Sequence, residues 1–190
     1  MKPFTKLERS QNMTKKSKGE EIFSDKNLSI VEYEEWSFVN EKSCVLTIIY
    51  LIEESKFIIR QEPIPTFKWV DGDEYYLTVL SGTIDEGEEP ETTLLREIEE
   101  EAGIVIRPDF KFEFFKPLHF SKSTTAKTYP SIVTLTERDY TEVMAKGDGS
   151  RVEKMSKSVK LDIKLINSIN FQDLPSEYLL VKFKEYLNIQ

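Results

Sequence analysis

The alternation of hydrophobic and polar positions predicts mainly strands, with one helix in the middle of the chain and one at its end. Apolar and β-branched runs predict strands at residues 43–53, 56–61, 75–80, 110–115, 131–136 and 159–166. One or two shorter strands are predicted at 27–39, and loops at 63–72, 119–129 and 143–156. Helices are predicted at 90–102 and from 173 to about 187. This order predicts an α/β/α sandwich, in which a mixed sheet lies between helices.

The central helix has clear start and stop signals. Pro90 suits the first turn, where a missing N–H costs nothing, and Gly103 follows the last helical residue. Its apolar stripe consists of Leu94, Ile98 and Ala102, with Leu95 beside them. Another face of the helix is acidic and carries three glutamates at i, i+3 and i+4.

These glutamates, Glu97, Glu100 and Glu101, repel one another. Each like-charge pair costs roughly a few tenths of a kcal/mol on an exposed helix. A hard cation such as Mg²⁺ or Mn²⁺, which prefers oxygen ligands, would explain the cluster. The alternative is a solvated acidic face, because charge runs are common on helices.

Nine positions in residues 82–104 follow one spaced pattern: glycine, five residues, glutamate, seven residues, then Arg-Glu-apolar-any-Glu-Glu-any-Gly-apolar. They are Gly82, Glu88, Arg96, Glu97, Ile98, Glu100, Glu101, Gly103 and Ile104. The segment resembles the signature of the Nudix hydrolase family without any departure, and it lies in a fitting strand–loop–helix context. The family's α/β/α fold agrees with the fold that the pattern predicts.

The resemblance implies divalent-metal-dependent hydrolysis of a diphosphate that is linked to another group, often a nucleoside. It implies that Glu97 and Glu101 are the principal metal ligands and that Glu100 is a third ligand or a base. The carbonyl of Ser81 or of Gly82 would reach the metal from the loop. A metal bridging two phosphates would cancel charge and acidify a bound water, and a glutamate would take the proton.

Two further residues of the signature have a structural role by resemblance. Arg96 and Glu88 should pair and hold the loop against the helix. Segments outside the signature resemble the ADP-ribose pyrophosphatase branch of the family; they are residues 58–61, 80–88, Pro117 and 147–153. In that branch a late loop glutamate acts as base or extra ligand, which nominates Glu153; the alternative is a solvated loop residue.

Substrate contacts are less well defined, because Pro63 stands where an arginine of that branch often contacts phosphate. The candidate replacements are Arg60, Arg151 and Lys68. The candidate substrate-binding residues are Arg60, Gln61, Tyr33, Trp36 and His119. The aromatic side chains have an alternative role in the core or an interface, and a lone loop histidine is often incidental.

Composition restricts the chemistry. The chain has 190 residues, enough for one domain, with one histidine and one cysteine, Cys44, so a metal must be held mainly by oxygen and no internal disulfide can form. A reducing cytoplasm suits a single cysteine. No apolar run approaches the length that crosses a bilayer, and no secretory signal is recognisable at the N-terminus.

The charge is uneven along the chain. Residues 1–26 predict a disordered basic tail, and residues 27–190 a single domain. The first 18 residues hold six basic side chains and one acidic one, so they carry a net charge of about +5. Since the whole chain has a net charge of −8, the remaining residues carry a net charge of about −13. Such an acidic body disfavours nucleic-acid binding, including RNA decapping.

The leading hypothesis is therefore a pyrophosphohydrolase of ADP-ribose or a related nucleoside diphosphate derivative, dependent on Mg²⁺ or Mn²⁺. The alternatives keep the chemistry on nucleotide sugars, dinucleoside polyphosphates or nucleoside triphosphates, or keep the fold as a non-catalytic nucleotide-binding scaffold. The resemblance also implies a homodimer, with Tyr33 and Trp36 as natural interface residues.

Overall fold

The computed structural model describes residues 19–25, 28–147 and 149–189. The strands in these residues are β1 (Glu20–Ser24), β2 (Leu28–Tyr33), β3 (Trp36–Glu41), β4 (Cys44–Leu51), β5 (Lys56–Glu62), β6 (Tyr76–Thr78), β7 (Leu80–Thr83), β8 (Ile104–Ile106), β9 (Leu118–His119), β10 (Lys127–Leu135), β11 (Tyr140–Glu142) and β12 (Lys157–Asp162). The α-helices are α1 (Pro65–Asp71), α2 (Pro90–Ala102) and α3 (Leu174–Tyr186). Short 3-10 helices span Glu153–Met155 and Ile163–Ser168.

The central sheet is mixed, as predicted. Its main path runs in the order β12-β5-β4-β10-β9, while β6 pairs with β5 and β7 pairs with β4. β4 and β10 are parallel, and the other pairs are antiparallel. Since β7 pairs with the central strand β4, the glycine-containing segment before α2 is held at the middle of the sheet.

Two helices cover opposite faces of this sheet. Because side chains alternate along each strand, β4 contributes residues to the packing on both faces. Val45 and Ile49 of β4 belong to the same buried cluster as Ile98 of α2. Ile48, on the other face of β4, belongs to a second cluster with Phe183 of α3. The α/β/α arrangement predicted from the sequence is therefore confirmed.

A separate three-stranded antiparallel sheet, β1-β2-β3, precedes the central one. The turn between β2 and β3 lies at Glu34, which has a positive φ of 52°. β1 lies in the segment that was predicted to be a disordered tail, and it pairs with β2. The boundary at residue 26 is therefore too late, and residues 1–18 lie outside the described part of the chain.

The segment 63–72 was predicted to be a loop, and this is wrong because it contains α1. Pro65 occupies the first turn, and Gly72 ends the helix in the left-handed region with φ 86°. None of the α1 residues is buried, and Trp69 is 90% exposed. A helix without an inward-facing stripe gives no periodic signal in the sequence.

Two predicted strands differ from the structure: one is divided into two strands, and the other ends earlier than predicted. The segment 75–80 is divided at Val79, whose N–H donates to Ser176 Oγ at 3.2 Å, so that β6 pairs with β5 and β7 with β4. β12 ends at Asp162 instead of continuing to residue 166. The Asp162 carboxylate accepts a hydrogen bond from the Lys164 N–H at 2.9 Å and so caps a 3-10 helix.

Residues 110–115 do not form the predicted strand. Phe110, Phe112 and Phe114 pack against the buried cluster on the α2 side, which explains the alternating pattern. Their backbone makes only an isolated bridge, from Phe114 to Ser131. The predicted loop at 119–129 is also shorter than expected, because β9 lies at its start and β10 at its end.

Candidate active site

Residues of β4, β7 and α2 enclose a cavity of about 430 Å³. Its lining is predominantly polar and consists of Cys44, Ser81, Gly82, Thr83, Asp85, Arg96, Glu97, Glu100 and Glu101. The three glutamates that share one face of α2 thus line the same cavity beside the end of β7, as helical spacing predicts. The cavity also contains the backbone of the Ser81-Gly82 segment.

Gly82 makes room for one of these carboxylates. A Cβ built on Gly82 would overlap Cγ, Cδ and Oε1 of Glu97. The absence of a side chain therefore lets Glu97 lie directly over β7, a close approach that only glycine permits. Glu97 is 14% exposed in this position.

We expect Gly82→Ala to lower hydrolytic activity by about 10- to 100-fold, because the added methyl group forces Glu97 away from β7 and small misplacements in active sites are costly. The fold should persist, since the clash involves a flexible side chain. Steady-state kinetics and a thermal melt check both parts. Full activity in the variant would show that the position of Glu97 over Gly82 is unimportant.

Arg96 connects the carboxylates of the cavity. Its Nη1 lies 2.6 Å from Glu97 Oε1 and 3.3 Å from Glu100 Oε2. Its Nη2 lies 3.2 Å from Glu88 Oε2 and also donates to the carbonyl of Thr83 at 3.4 Å. The structure thus contains the Arg96–Glu88 pair that the signature implied, and the same guanidinium also bridges two candidate metal ligands.

Glu88 fastens the loop between β7 and α2 to the helix. Besides Arg96, it accepts a hydrogen bond from Thr93 Oγ1 at 2.8 Å and one from the Asp85 N–H at 3.4 Å. Arg96 first, and Thr93 second, lower the pKa of Glu88 below its ordinary value. Because the ionised form makes these contacts, they stabilise the fold only while Glu88 is charged.

This pKa shift gives a pH-dependent prediction. The stabilisation from Glu88 is fully present above its unfolded-state pKa near 4.5 and is lost as the pH falls through the lower folded-state pKa. We therefore expect Glu88→Gln to melt below the wild type at pH 7, with the difference vanishing in strong acid, where the wild-type residue is also neutral. Thermal melts of both proteins from pH 7 to pH 2.5 measure it; a constant difference contradicts the assignment.

Glu101 lies deepest of the three helix glutamates, with 8% of its side chain exposed. Its Oε1 is 3.3 Å from Nε of Arg60, and its Oε2 accepts a hydrogen bond from the Ser81 N–H at 3.3 Å. Arg60 is 2% exposed, and its guanidinium holds the Glu101 carboxylate. The predicted contact of Arg60 with substrate stays a prediction.

The donor set fits a hard divalent cation. It offers carboxylate and carbonyl oxygens, which Mg²⁺ and Mn²⁺ prefer. In the described residues no group of three potential ligands is already converged on one point. Arg96 Nη1 contacts both Glu97 and Glu100, so these two carboxylates lie close to each other in the cavity.

A family model described as the NUDIX domain matches residues 44–157, which is more than half of the chain. The chain belongs to the Nudix family. The predicted family and the prediction of a Nudix pyrophosphohydrolase enzyme are thereby confirmed. No curated protein sequence matches this Nudix chain.

Two solved structures resemble this chain, and the first of them shares its fold. One, described as the crystal structure of an ADP compounds hydrolase, is 17% identical over 92% of this chain and 97% of that chain, with a TM-score of 0.63. Another, from a study of MutT from the fish pathogen Aliivibrio salmonicida and from Vibrio cholerae, is 19% identical over 74% of this chain and 98% of that chain, with a TM-score of 0.49.

The helices of the described residues include none that is long and apolar enough to cross a membrane.

Cys44 also lines the Nudix cavity, and its chemistry narrows the ligand set. Burial, with a smaller contribution from Glu41, raises the pKa of the Cys44 thiol to about 11. A neutral thiol is a poor ligand for a hard cation, which prefers oxygen. That oxygen atoms hold the metal stays a prediction.

Four predicted substrate contacts lie away from this cavity. Tyr33 and Trp36 line a separate cavity of about 740 Å³ at the β2–β3 turn. His119 is exposed in β9, opposite Lys127. Gln61 is half-buried in β5. The single chain therefore does not bring these four residues to the Nudix carboxylates.

Glu153 begins the short 3-10 helix Glu153–Met155, and its side chain lies outside the described part of the chain. Its predicted catalytic role stays a prediction. The sequence analysis also missed the Arg60–Glu101 pair. These residues are 41 positions apart and meet only because β5 and the C-terminal end of α2 pack together; the arginine inside an apolar strand was the available signal.

Proposed function

We propose that this Nudix enzyme hydrolyses the diphosphate bond of ADP-ribose or a related nucleoside diphosphate derivative and releases a nucleoside monophosphate. With ADP-ribose the products are AMP and ribose 5-phosphate. The observation that carries the proposal is the convergence of Glu97, Glu100 and Glu101 on one cavity beside Gly82. A nucleotide-binding scaffold would have no need of this arrangement.

In this proposal Glu97, Glu100 and Glu101 hold Mg²⁺ or Mn²⁺, together with the carbonyl of Ser81. The ion supplies charge neutralisation at the phosphates and lowers the pKa of water. Arg96 Nη1 contacts the carboxylates of both Glu97 and Glu100, so the guanidinium holds these two residues, which would bind the ion, next to each other.

Proton transfer falls to the more accessible carboxylates. Glu100 is 31% exposed, the most of the three helix glutamates, and is suited to accept a proton from attacking water. Glu153 is proposed as an alternative base or an additional ligand, on the resemblance of its loop alone. Arg96 and Glu88 position the loop that carries the site.

The choice of substrate rests on two supports. Residues 58–61 and 80–88 resemble the ADP-ribose pyrophosphatase branch. The fold is shared with a structure described as an ADP compounds hydrolase, along 97% of that chain. Both favour an ADP-containing diphosphate over the other substrate classes.

The decisive experiment measures product release from ADP-ribose, nucleotide sugars, dinucleoside polyphosphates, NADH and nucleoside triphosphates, with Mg²⁺, with Mn²⁺ and with chelator. We expect metal-dependent hydrolysis with the highest kcat/KM for ADP-ribose. Preference for another member of the panel would reassign the substrate and keep the chemistry. Metal binding without hydrolysis of any member would overturn the enzymatic proposal in favour of a binding module.

We also propose a homodimer in the cytoplasm. The N-terminal sheet exposes apolar side chains: Ile22 is 54%, Phe23 52% and Trp36 60% exposed. A second copy would bury them, and the resemblance to the branch favours such pairing. Sedimentation velocity should give a dimer mass that Trp36→Glu reduces to a monomer mass; a monomeric wild type contradicts the proposal.

A further inference from the structure

A second cavity, of about 460 Å³, adjoins the first one at the C-terminal end of α2. Glu100 and Glu101 line both cavities, so the helix end forms a shared wall. The described residues of the loop after β11 and of the start of β12 form a second, basic wall. The lysines among them are Lys146, Lys154 and Lys157.

The basic wall is fixed relative to the glutamates by backbone contacts. The N–H of Gly147 donates to the carbonyl of Glu100 at 3.0 Å, and Ser158 Oγ donates to the carbonyl of Glu101 at 2.7 Å. Gly103, with φ 65°, permits the close approach, because a Cβ there would overlap the carbonyl oxygen of Val143. The loop is therefore held against the helix end.

The neighbouring glutamates do not require these lysines as partners. Arg96 already pairs with Glu100, and Arg60 pairs with Glu101. Ion pairs between residues that the structure describes include none made by Lys146, Lys154 or Lys157. Their positive charges are available to an anion in the cavity.

The location matters because the whole protein is acidic, with a net charge of −8. An anionic substrate is repelled by such a body unless positive charge is concentrated where the substrate binds. At the carboxylate cavity itself the cations are engaged: Arg96 with its three glutamates and Arg60 with Glu101. The three lysines supply positive charge in the adjoining cavity.

We propose that Lys146, Lys154 and Lys157 form an anion subsite that binds a phosphate group of the substrate beside Glu100. The identity of that anion as part of a diphosphate rests on the proposed function. The subsite accounts for Pro63, which stands where an arginine often contacts phosphate in the branch that this chain resembles: the phosphate-binding cations come from the loop before β12 instead.

The test compares two triple variants with the wild type. One changes Lys146, Lys154 and Lys157 to Gln; the other changes Lys111, Lys122 and Lys164 to Gln, which removes the same charge from exposed positions outside both cavities. Binding of inorganic pyrophosphate is measured by ³¹P NMR titration on protein stripped of metal on a chelating resin. Circular dichroism melts establish that both variants are folded.

We expect the wild type and the outside variant to bind pyrophosphate with affinities within about twofold of each other. The subsite variant should bind about tenfold more weakly or worse, because the losses in affinity from three modest ion pairs multiply. In hydrolysis the subsite variant should show a KM raised about tenfold with kcat little changed. Equal pyrophosphate affinities of the two variants, or no metal-free binding by the wild type, overturns the subsite. Binding that is lost only in the subsite variant, in a protein that hydrolyses none of the substrate panel, supports the subsite and overturns the proposed function.

Discussion

Glu97→Gln is expected to lower kcat/KM for the preferred diphosphate substrate about a thousandfold or more, because loss of a metal-binding charge removes several kcal/mol of transition-state stabilisation. The amide has the shape of the carboxylate and still fits over Gly82. It can also still accept the hydrogen bond from Arg96. The folded structure should therefore survive, and the loss should appear in catalysis and in Mn²⁺ affinity, measured by electron paramagnetic resonance.

The chain offers a matched control on the same helix. Glu99 is exposed on α2 and does not line the carboxylate cavity, so Glu99→Gln removes the same charge without touching the site. We expect this variant to keep wild-type kinetics and wild-type Mn²⁺ affinity. If Glu97→Gln retained full activity, or if both variants lost activity equally, the assignment of Glu97 as a metal ligand would be wrong.

The site helix was predictable because several local signals agree. Pro90 begins α2 and Gly103 ends it, at the bounds that the sequence predicts. The apolar stripe that includes Leu94 and Ile98 is buried on the sheet, which leaves the glutamate face toward β7. Where capping, periodicity and charge pattern all indicate one structure, tertiary packing has little to override.

Predictions failed where the pattern had no partner in the fold. α1 has no buried face, begins at Pro65 and is followed by Gly72, so its sequence pattern does not distinguish it from a loop. The alternation of Phe110, Phe112 and Phe114 did locate core side chains, but a strand also needs a neighbouring backbone to pair with. Only the bridge from Phe114 to Ser131 supplies one.

The site itself was predictable in its local part and not in its long-range part. The signature lies within one strand, loop and helix, so helical geometry alone brings Glu97, Glu100 and Glu101 together. The partners from elsewhere, such as Arg60 and Lys157, depend on how β5 and β12 pack against the helix end. Spacing along the chain carries no information about that packing.

The buried pair of Arg60 and Glu101 should be the largest single source of destabilisation when broken. We expect Arg60→Met to lower the free energy of unfolding by about 3–5 kcal/mol, because it leaves the Glu101 carboxylate buried without its guanidinium. Mn²⁺ affinity should fall by about 10- to 100-fold, as it does when an outer partner of a ligand is lost. Urea unfolding followed by tryptophan fluorescence and Mn²⁺ titration measure the two effects.

A double variant separates the structural part of this pair from its part in the site. In Arg60→Met/Glu101→Leu both charges are replaced by apolar groups, so most of the lost stability should return. Activity should not return, because this variant lacks Glu101, which we propose as a metal ligand. Arg60→Lys should recover stability only partly, since an ammonium lacks the planar geometry of guanidinium. Stability losses that simply add in the double variant would show that the 3.3 Å contact carries no coupling energy. Reduced Mn²⁺ affinity in the single variant Arg60→Met, in which Glu101 is intact, would identify Arg60 as the residue that positions this proposed metal ligand.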